Sequence, residues 1–288
     1  MTTTTYAARH QMPARPVDDE LVGVAMSKEG LASAARSVAE VKSVIISLTD
    51  EEWAAPSGCS GWTVKDLVAH MSSNFKEIVE PSPPPAEPID LPAERMMDLL
   101  VEPRKPWSNQ EICDEYLAYC DGAVAALGAL QDEPLASTVV PLADLGQYPM
   151  NQLADAFAFD HYCHLRIDLL SPRGPIVRDA SAPDDALVGP AVGWMLTGLP
   201  QMQPGLEQRL TGTIRLVLTG PGGGSWIVAR DGDAIAITVG DRPADATVTS
   251  SAHDFVLWGT TRTAWRDATT VTGDQRLVES FLDALNIV

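Results

Sequence analysis

The chain has 288 residues, 45% hydrophobic and 20% charged, the make-up of a soluble globular protein with enough chain for two cores. Thirty-nine acidic residues against twenty basic ones give a formal net charge of −19. Nucleic-acid and anionic-membrane partners, which demand a basic face, are excluded on that ground.

Residues 1–27 mix Thr, Arg, Pro and Asp without periodicity and read as a mobile leader. Their start, Met1-Thr2-Thr3-Thr4-Thr5-Tyr6, lacks the charged-then-apolar layout of a secretory signal. No apolar run reaches the ~20 residues that span a bilayer, so a cytoplasmic location is expected. In that setting Cys59, Cys113, Cys120 and Cys163 are expected as thiols, and their spacing matches no zinc pattern.

A first helix is predicted from about Glu29 to Leu48, with Leu31, Ala34, Val38, Val41 and Ile45 at helical spacing. Thr49-Asp50-Glu51-Glu52-Trp53 begins a short helical turn, and residues 56–61 form a loop. Thr63 followed by Asp66 resembles a capping box that opens a second helix carrying Val64, Leu67, Val68, Met71, Phe75 and Ile78. Pro81 ends it, and a proline-rich excursion follows to Pro106, either a surface connection or a lid over a site. A third helix is predicted over about Asn109–Leu130 and a fourth over about Asn151–Leu170. Four helices with one long crossover make a small bundle.

After the Pro- and Asp-rich segment 175–183 the pattern changes. A helix from Asp185 to about Leu199 precedes period-2 stretches at 213–218, 225–229, 234–238 and 246–249, separated by glycine- and aspartate-rich turns. Helices around His253–Trp258 and Asp274–Leu285 close the chain. The expectation is a two-domain protein, α+β overall. A four-helix bundle over residues 28–175 precedes an antiparallel sheet with helices over 184–288.

The chemistry concentrates in Asp160-His161-Tyr162-Cys163-His164. At about 100° per residue, Asp160, His164 and Asp168 share one helical face, with His161 in the same quadrant. His70 sits on the second helix. Polar groups on an apolar face need partners, and two helices offering imidazole and carboxylate inward can build an open three-ligand metal site. The plain alternatives are a hydrogen-bonded core histidine at His70 and a surface Asp–His pair at i, i+4. Cys163 beside His164 makes a poor thiolate–imidazole pair, because helical neighbours diverge by about 100°. Gly220-Pro221-Gly222-Gly223-Gly224-Ser225 lacks the Gly-Lys-Ser/Thr ending of a phosphate loop and reads as a hairpin turn. Arg215, Arg230, Arg242, Arg262 and Arg266 could hold a carboxylate substrate, but nothing in their spacing singles one out.

Gly61-Trp62-Thr63-Val64-Lys65-Asp66-Leu67-Val68-Ala69-His70 resembles a signature of the mycothiol-dependent maleylpyruvate isomerase family, a branch of the DinB-like metal-binding four-helix bundles. Asp160-His161-Tyr162-Cys163-His164 is similar to its second signature, an acidic residue four positions before a histidine. The stretches 219–226 and 244–259 resemble its C-terminal, sterol-carrier-like domain. The resemblance implies a divalent metal, zinc by usual assignment, held by His70, Asp160 and His164. His161 offers an additional or replacement ligand, and Asp168 would orient His164 from behind.

The family's co-substrate is mycothiol, the low-molecular-weight thiol of actinobacteria. Its thiolate adds to the cis double bond of maleylpyruvate, the bond rotates, and elimination leaves the trans isomer. In related S-transferases the thiol stays attached. Two positions depart from the pattern: Asp160 stands where the founding isomerase has glutamate, and Asp168 follows His164 by four residues rather than three. The implied function is a metal- and thiol-dependent isomerase or S-transferase acting on a small electrophilic metabolite. The alternatives are a thiol-independent metalloenzyme (isomerase or cyclase) of secondary metabolism and a non-catalytic module that binds a small ligand on the same scaffold.

Overall fold

The computed structural model describes residues 28–83 and 91–287. The expected leader, residues 1–27, lies outside them, as do residues 84–90 of the proline-rich stretch.

Helix α1 (Lys28–Ile45) buries the stripe Ala34, Val38, Val41 and Ile45 that its spacing dictates. Each of the next three caps below is a reciprocal box worth roughly 1 kcal/mol. Thr49 and Glu52 cap α2 (Asp50–Ala54), which buries Trp53. Thr63 and Asp66 cap α3 (Val64–Val79): the Thr63 hydroxyl accepts from the Asp66 amide at 3.2 Å, and Asp66 accepts from the Thr63 amide at 2.9 Å. The proline-rich stretch is not all connection, because α4 (Ala93–Val101) forms within it and runs into a 3₁₀ turn, Glu102–Arg104. Ser108 and Glu111 cap α5 (Asn109–Ala129). A small hairpin that no periodicity announces, β1 (Val139–Pro141) with β2 (Gln147–Pro149), precedes α6 (Leu153–Cys163).

The fourth helix differs from expectation at its end. Beyond Cys163 the chain widens into a π turn, His164–Leu169, a feature found often at functional sites. In the bundle α3 packs along α5 and α1 along α6. Its core holds Val41, Ile45, Leu67, Val68, Met71, Phe75, Ile112 and Tyr116 together with Leu165 and Leu169 of the π turn.

Helix α7 (Asp185–Met202) starts from an Asp184 cap and is apolar on nearly every side. Such a helix has to be covered all round, and α7 packs against α1 and α6 on one flank and against the C-terminal elements on the other. Those are β3 (Ile214–Thr219), β4 (Gly224–Asp231), β5 (Ala234–Val239), β6 (Ala246–Ser251), α8 (Ala252–Gly259), α9 (Trp265–Ala268), β7 (Thr270–Gly273) and α10 (Gln275–Leu282). Among the described residues the sheet order is β5-β4-β3-β6-β7. The glycine run joins β3 to β4 as the expected hairpin turn, with Gly220 and Gly222 at positive φ.

The sheet is mixed rather than wholly antiparallel, because β6 lies parallel to β3, with Ile214 opposite Ala246. Asp245 fixes that alignment. Its carboxylate accepts from the Thr213 amide at 2.7 Å and the Thr213 hydroxyl at 2.8 Å, while its own amide donates to the Thr213 carbonyl at 3.0 Å. The beginnings of β6 and β3 are thereby pinned side by side. No helix among the described residues is long and apolar enough to cross a membrane.

Candidate metal centre

Two helices bring the predicted ligands together. His70 lies two turns inside α3, and Asp160 and His164 lie one turn apart where α6 passes into its π turn. His70 Nε2 is 3.1 Å from Asp160 Oδ1, and His164 Nε2 is 3.4 Å from the same oxygen. One ligand atom from each residue falls within 4.8 Å of the others. Both imidazoles are buried, at 5% and 9% exposure, and Asp160 is half-buried.

The surroundings hold these groups in place. Trp62, at the loop end before α3, sets its ring 5.2 Å from the His70 ring, and its Nε1 donates to Asp98 on α4 at 3.2 Å. The Asn74 amide approaches His70 Nε2 at 3.4 Å. Behind His164, Nδ1 meets Asp168 Oδ2 at 3.0 Å. With the Nδ1 proton given to that carboxylate, Nε2 is the atom turned toward Asp160.

The charges follow from this geometry. Burial pushes the His164 pKa down, but the Asp160 charge and hydrogen bonds to Asp160, Asp168 and Cys59 outweigh it and hold the pKa well above the ordinary value. For His70 burial wins over Asp160, and the pKa falls. Burial would raise Asp160, yet the His164 charge and the close approach of the three histidines hold it well below the usual carboxylate range. Asp168 is likewise depressed against its burial, by His164 and Arg262.

His161 is fully buried and faces the other way, stacked on Phe75 at 4.7 Å between rings. Its Nδ1 lies 3.1 Å from Asp160 Oδ2, but neither atom makes a hydrogen bond. Among the described residues it belongs to neither group of atoms spaced to hold a metal. Burial pushes the neighbouring Cys163 thiol up to about 12, which leaves it protonated and no nucleophile.

By sequence alone Cys59 is only a thiol and Arg262 only one of five candidate arginines, and neither is tied to this site. The half-buried Cys59 sets Sγ 3.8 Å from His164 Nδ1, so that Cys59, His164 and Asp168 form a second candidate ligand group. Arg262, from the turn after α8, donates Nε to Asp168 Oδ1 at 3.0 Å and Nη2 to Oδ2 at 2.7 Å. A cation bound to Asp168 would therefore face a guanidinium already in place, at full Coulombic cost in a buried site. The His70–Asp160–His164 group has no arginine among its contacts in the described residues.

Its donor set, two imidazole nitrogens and a carboxylate oxygen, suits zinc or a similar divalent ion with open positions. Asp160 Oδ2 and His70 Nδ1 are buried without hydrogen-bond partners, and a ligand at the centre would take up part of that unmet polarity. The residues present fit a metal.

Residues 31–164 match the model of the mycothiol maleylpyruvate isomerase N-terminal domain. No curated protein matches the chain. Among solved structures, mycothiol-dependent maleylpyruvate isomerase aligns at 14% identity over 87% of this chain and 95% of that one, with a TM-score of 0.54. Its histidine-to-alanine mutant aligns over the same shares at 14% identity and a TM-score of 0.55. Sterol carrier protein domain 2 of Helicoverpa armigera aligns at 16% identity over 37% of this chain and 91% of that one, with a TM-score of 0.29. At 14% identity the two isomerase structures speak for the fold alone. Residues 31–164 are thus similar to the mycothiol maleylpyruvate isomerase N-terminal domain, and the chain as a whole has the fold of that isomerase.

Proposed function

We propose that the protein is a metal- and thiol-dependent isomerase or S-transferase acting on a small electrophilic metabolite, with mycothiol as the thiol. The observation that carries the proposal is the convergence of His70, Asp160 and His164 within 4.8 Å, inside a domain matched to this family. These three would hold one divalent metal, zinc by the chemistry of the donors. When bound, the metal would supply a site where a thiol sulfur sits as thiolate near neutral pH.

The chain's own residues do the rest. Asp168 holds His164 by Nδ1 and keeps Nε2 on the inner side. Asp160 offers Oδ1 to both imidazoles and so fixes the spacing of α3 and α6. Trp62, tied to α4 through Asp98, lies against the His70 ring. The division of labour assigns metal and thiol to residues 28–175 and selection of the substrate to residues 184–288.

The test has two steps. Metal content by mass spectrometry should give about one divalent ion per chain in the wild type, and His70→Ala and His164→Ala should lose it. Turnover of maleylpyruvate and of model electrophiles is then measured with and without the thiol. Thiol-dependent turnover supports the reading, and metal-dependent turnover without thiol replaces it by a thiol-free metalloenzyme. A folded wild type that takes up no metal after reconstitution overturns it.

A further inference from the structure

The contact between Arg262 and Asp168 joins residues 94 positions apart and ties the C-terminal half of the chain to the metal centre. Asp168 is fully buried, and both of its oxygens accept from Arg262. Only Oδ2 also meets His164. A carboxylate gripped along two edges cannot rotate, so the direction in which it presents Oδ2 to His164 is set by the guanidinium.

The grip is itself fixed. Thr260 donates its hydroxyl to the Val256 carbonyl at 2.7 Å, and the Arg262 amide donates to the Leu257 carbonyl at 2.9 Å. Between them Thr261 takes a left-handed φ of 56°, a conformation a β-branched residue adopts only where its surroundings impose it. Arg173 completes the junction, donating to the Arg262 carbonyl at 3.0 Å and the Gly58 carbonyl at 2.8 Å, while the Gly58 amide donates to the Asp168 carbonyl at 2.7 Å.

We propose that Arg262 is a positioning residue of the metal centre, acting through Asp168 on His164, so that metal affinity depends on a residue of the C-terminal half. The proposal rests on the reading that His70, Asp160 and His164 hold a metal. An imidazole whose orienting partner is lost binds metal about 10- to 100-fold more weakly. Arg262→Gln removes the guanidinium's grip on the carboxylate and should weaken zinc binding by that order. Arg262→Lys keeps the charge without the two-edged geometry and should recover part of it. Arg266→Gln, which breaks an exposed pair with Asp283 on the same half, should bind zinc as the wild type does.

Zinc affinity is read by competition with a chromophoric chelator, beside the thermal midpoint of each metal-free variant. A merely structural clamp would lower the midpoint and leave affinity unchanged. Because Arg262 acts through Asp168, the losses in Arg262→Gln and Asp168→Asn should be non-additive in the double variant. Should Arg262→Gln fail to fold, Arg262→Lys carries the same comparison at smaller amplitude. Folded variants that bind zinc as tightly as the wild type, or fully additive losses, overturn the proposal. A wild type that binds no zinc removes the metal reading as well, and so the two failures are told apart.

Discussion

His164 keeps a proton in a place where burial alone would strip it, because Asp160 and Asp168 flank the ring. The sign of the consequence depends on which state is measured. A histidine whose folded pKa is raised contributes stability that is fully present below the unfolded value of about 6.5 and is lost as pH rises through the folded value. Asp160 and Asp168, both depressed, contribute stability present above about pH 3.9 and lost as pH falls through their folded values. Metal binding runs the other way on the alkaline side, because a ligand nitrogen has to give up its proton first. His70, with its pKa lowered, is already neutral near pH 7. From about pH 6.5 upward, then, the metal-free thermal midpoint should fall while zinc affinity climbs. The measurements are thermal melts and chelator competition across that range, with His164→Gln flattening the fall in the midpoint. A metal-free midpoint that rose with pH in the wild type alone would contradict the charge placed on His164.

At the scale of elements, the geometry of the proposed metal centre depends on a close approach. Gly58 lies so near the π turn that an added Cβ would sit 2.7 Å from Asp168 Cα and 2.9 Å from its Oδ1. Gly58→Ala therefore has to push the 56–61 loop off Asp168, at an overpacking cost of about 1–3 kcal/mol. Denaturant melts should show that loss, and zinc affinity should drop with it because His164 loses its support. A wild-type midpoint in Gly58→Ala would mean that the loop yields freely and does not brace the turn.

How far the sequence foretells these elements depends on where each signal is stored. The helices α3 and α5 begin at local signals, Thr63 with Asp66 and Ser108 with Glu111, and α1 carries its own apolar stripe. His70, Asp160 and His164 stand out because polar side chains interrupt such apolar faces. Helix α4 has only nine residues and starts at Pro92 without a side-chain cap, so the surrounding prolines mask it. The β1–β2 hairpin and β7 are too short for an alternation to register. Alternation in β3 and β6 tells which face is buried but not which way a strand runs, and the parallel pairing is decided by Asp245 on Thr213. Arg262 and Cys59 carry no local signal at all, since their partners lie 94 and 105 residues away.

At the scale of the whole molecule, the two cores are joined through α6 and the π turn that continues it. Leu165 and Leu169 complete the bundle core, while Phe159, Tyr162, Cys163 and Ile167 belong to the core beneath the sheet. Helix α7 seals the junction, with the Ser33 hydroxyl donating to the Leu187 carbonyl at 3.3 Å and Arg36 paired with Asp184 at 2.6 Å. A continuous helical segment that supplies both cores, α6 with its π turn, cannot unfold for one and stay folded for the other. Calorimetry of the full chain should therefore show one transition rather than two. Zinc at about a thousand times its dissociation constant adds roughly 4 kcal/mol to a folded state that alone binds it. If the cores are coupled, that gain moves the single transition upward as a unit, the sheet included, although every proposed ligand lies before residue 165. Two transitions, with only the first responding to zinc, would mean that the cores melt independently and that Arg262 cannot transmit anything between them.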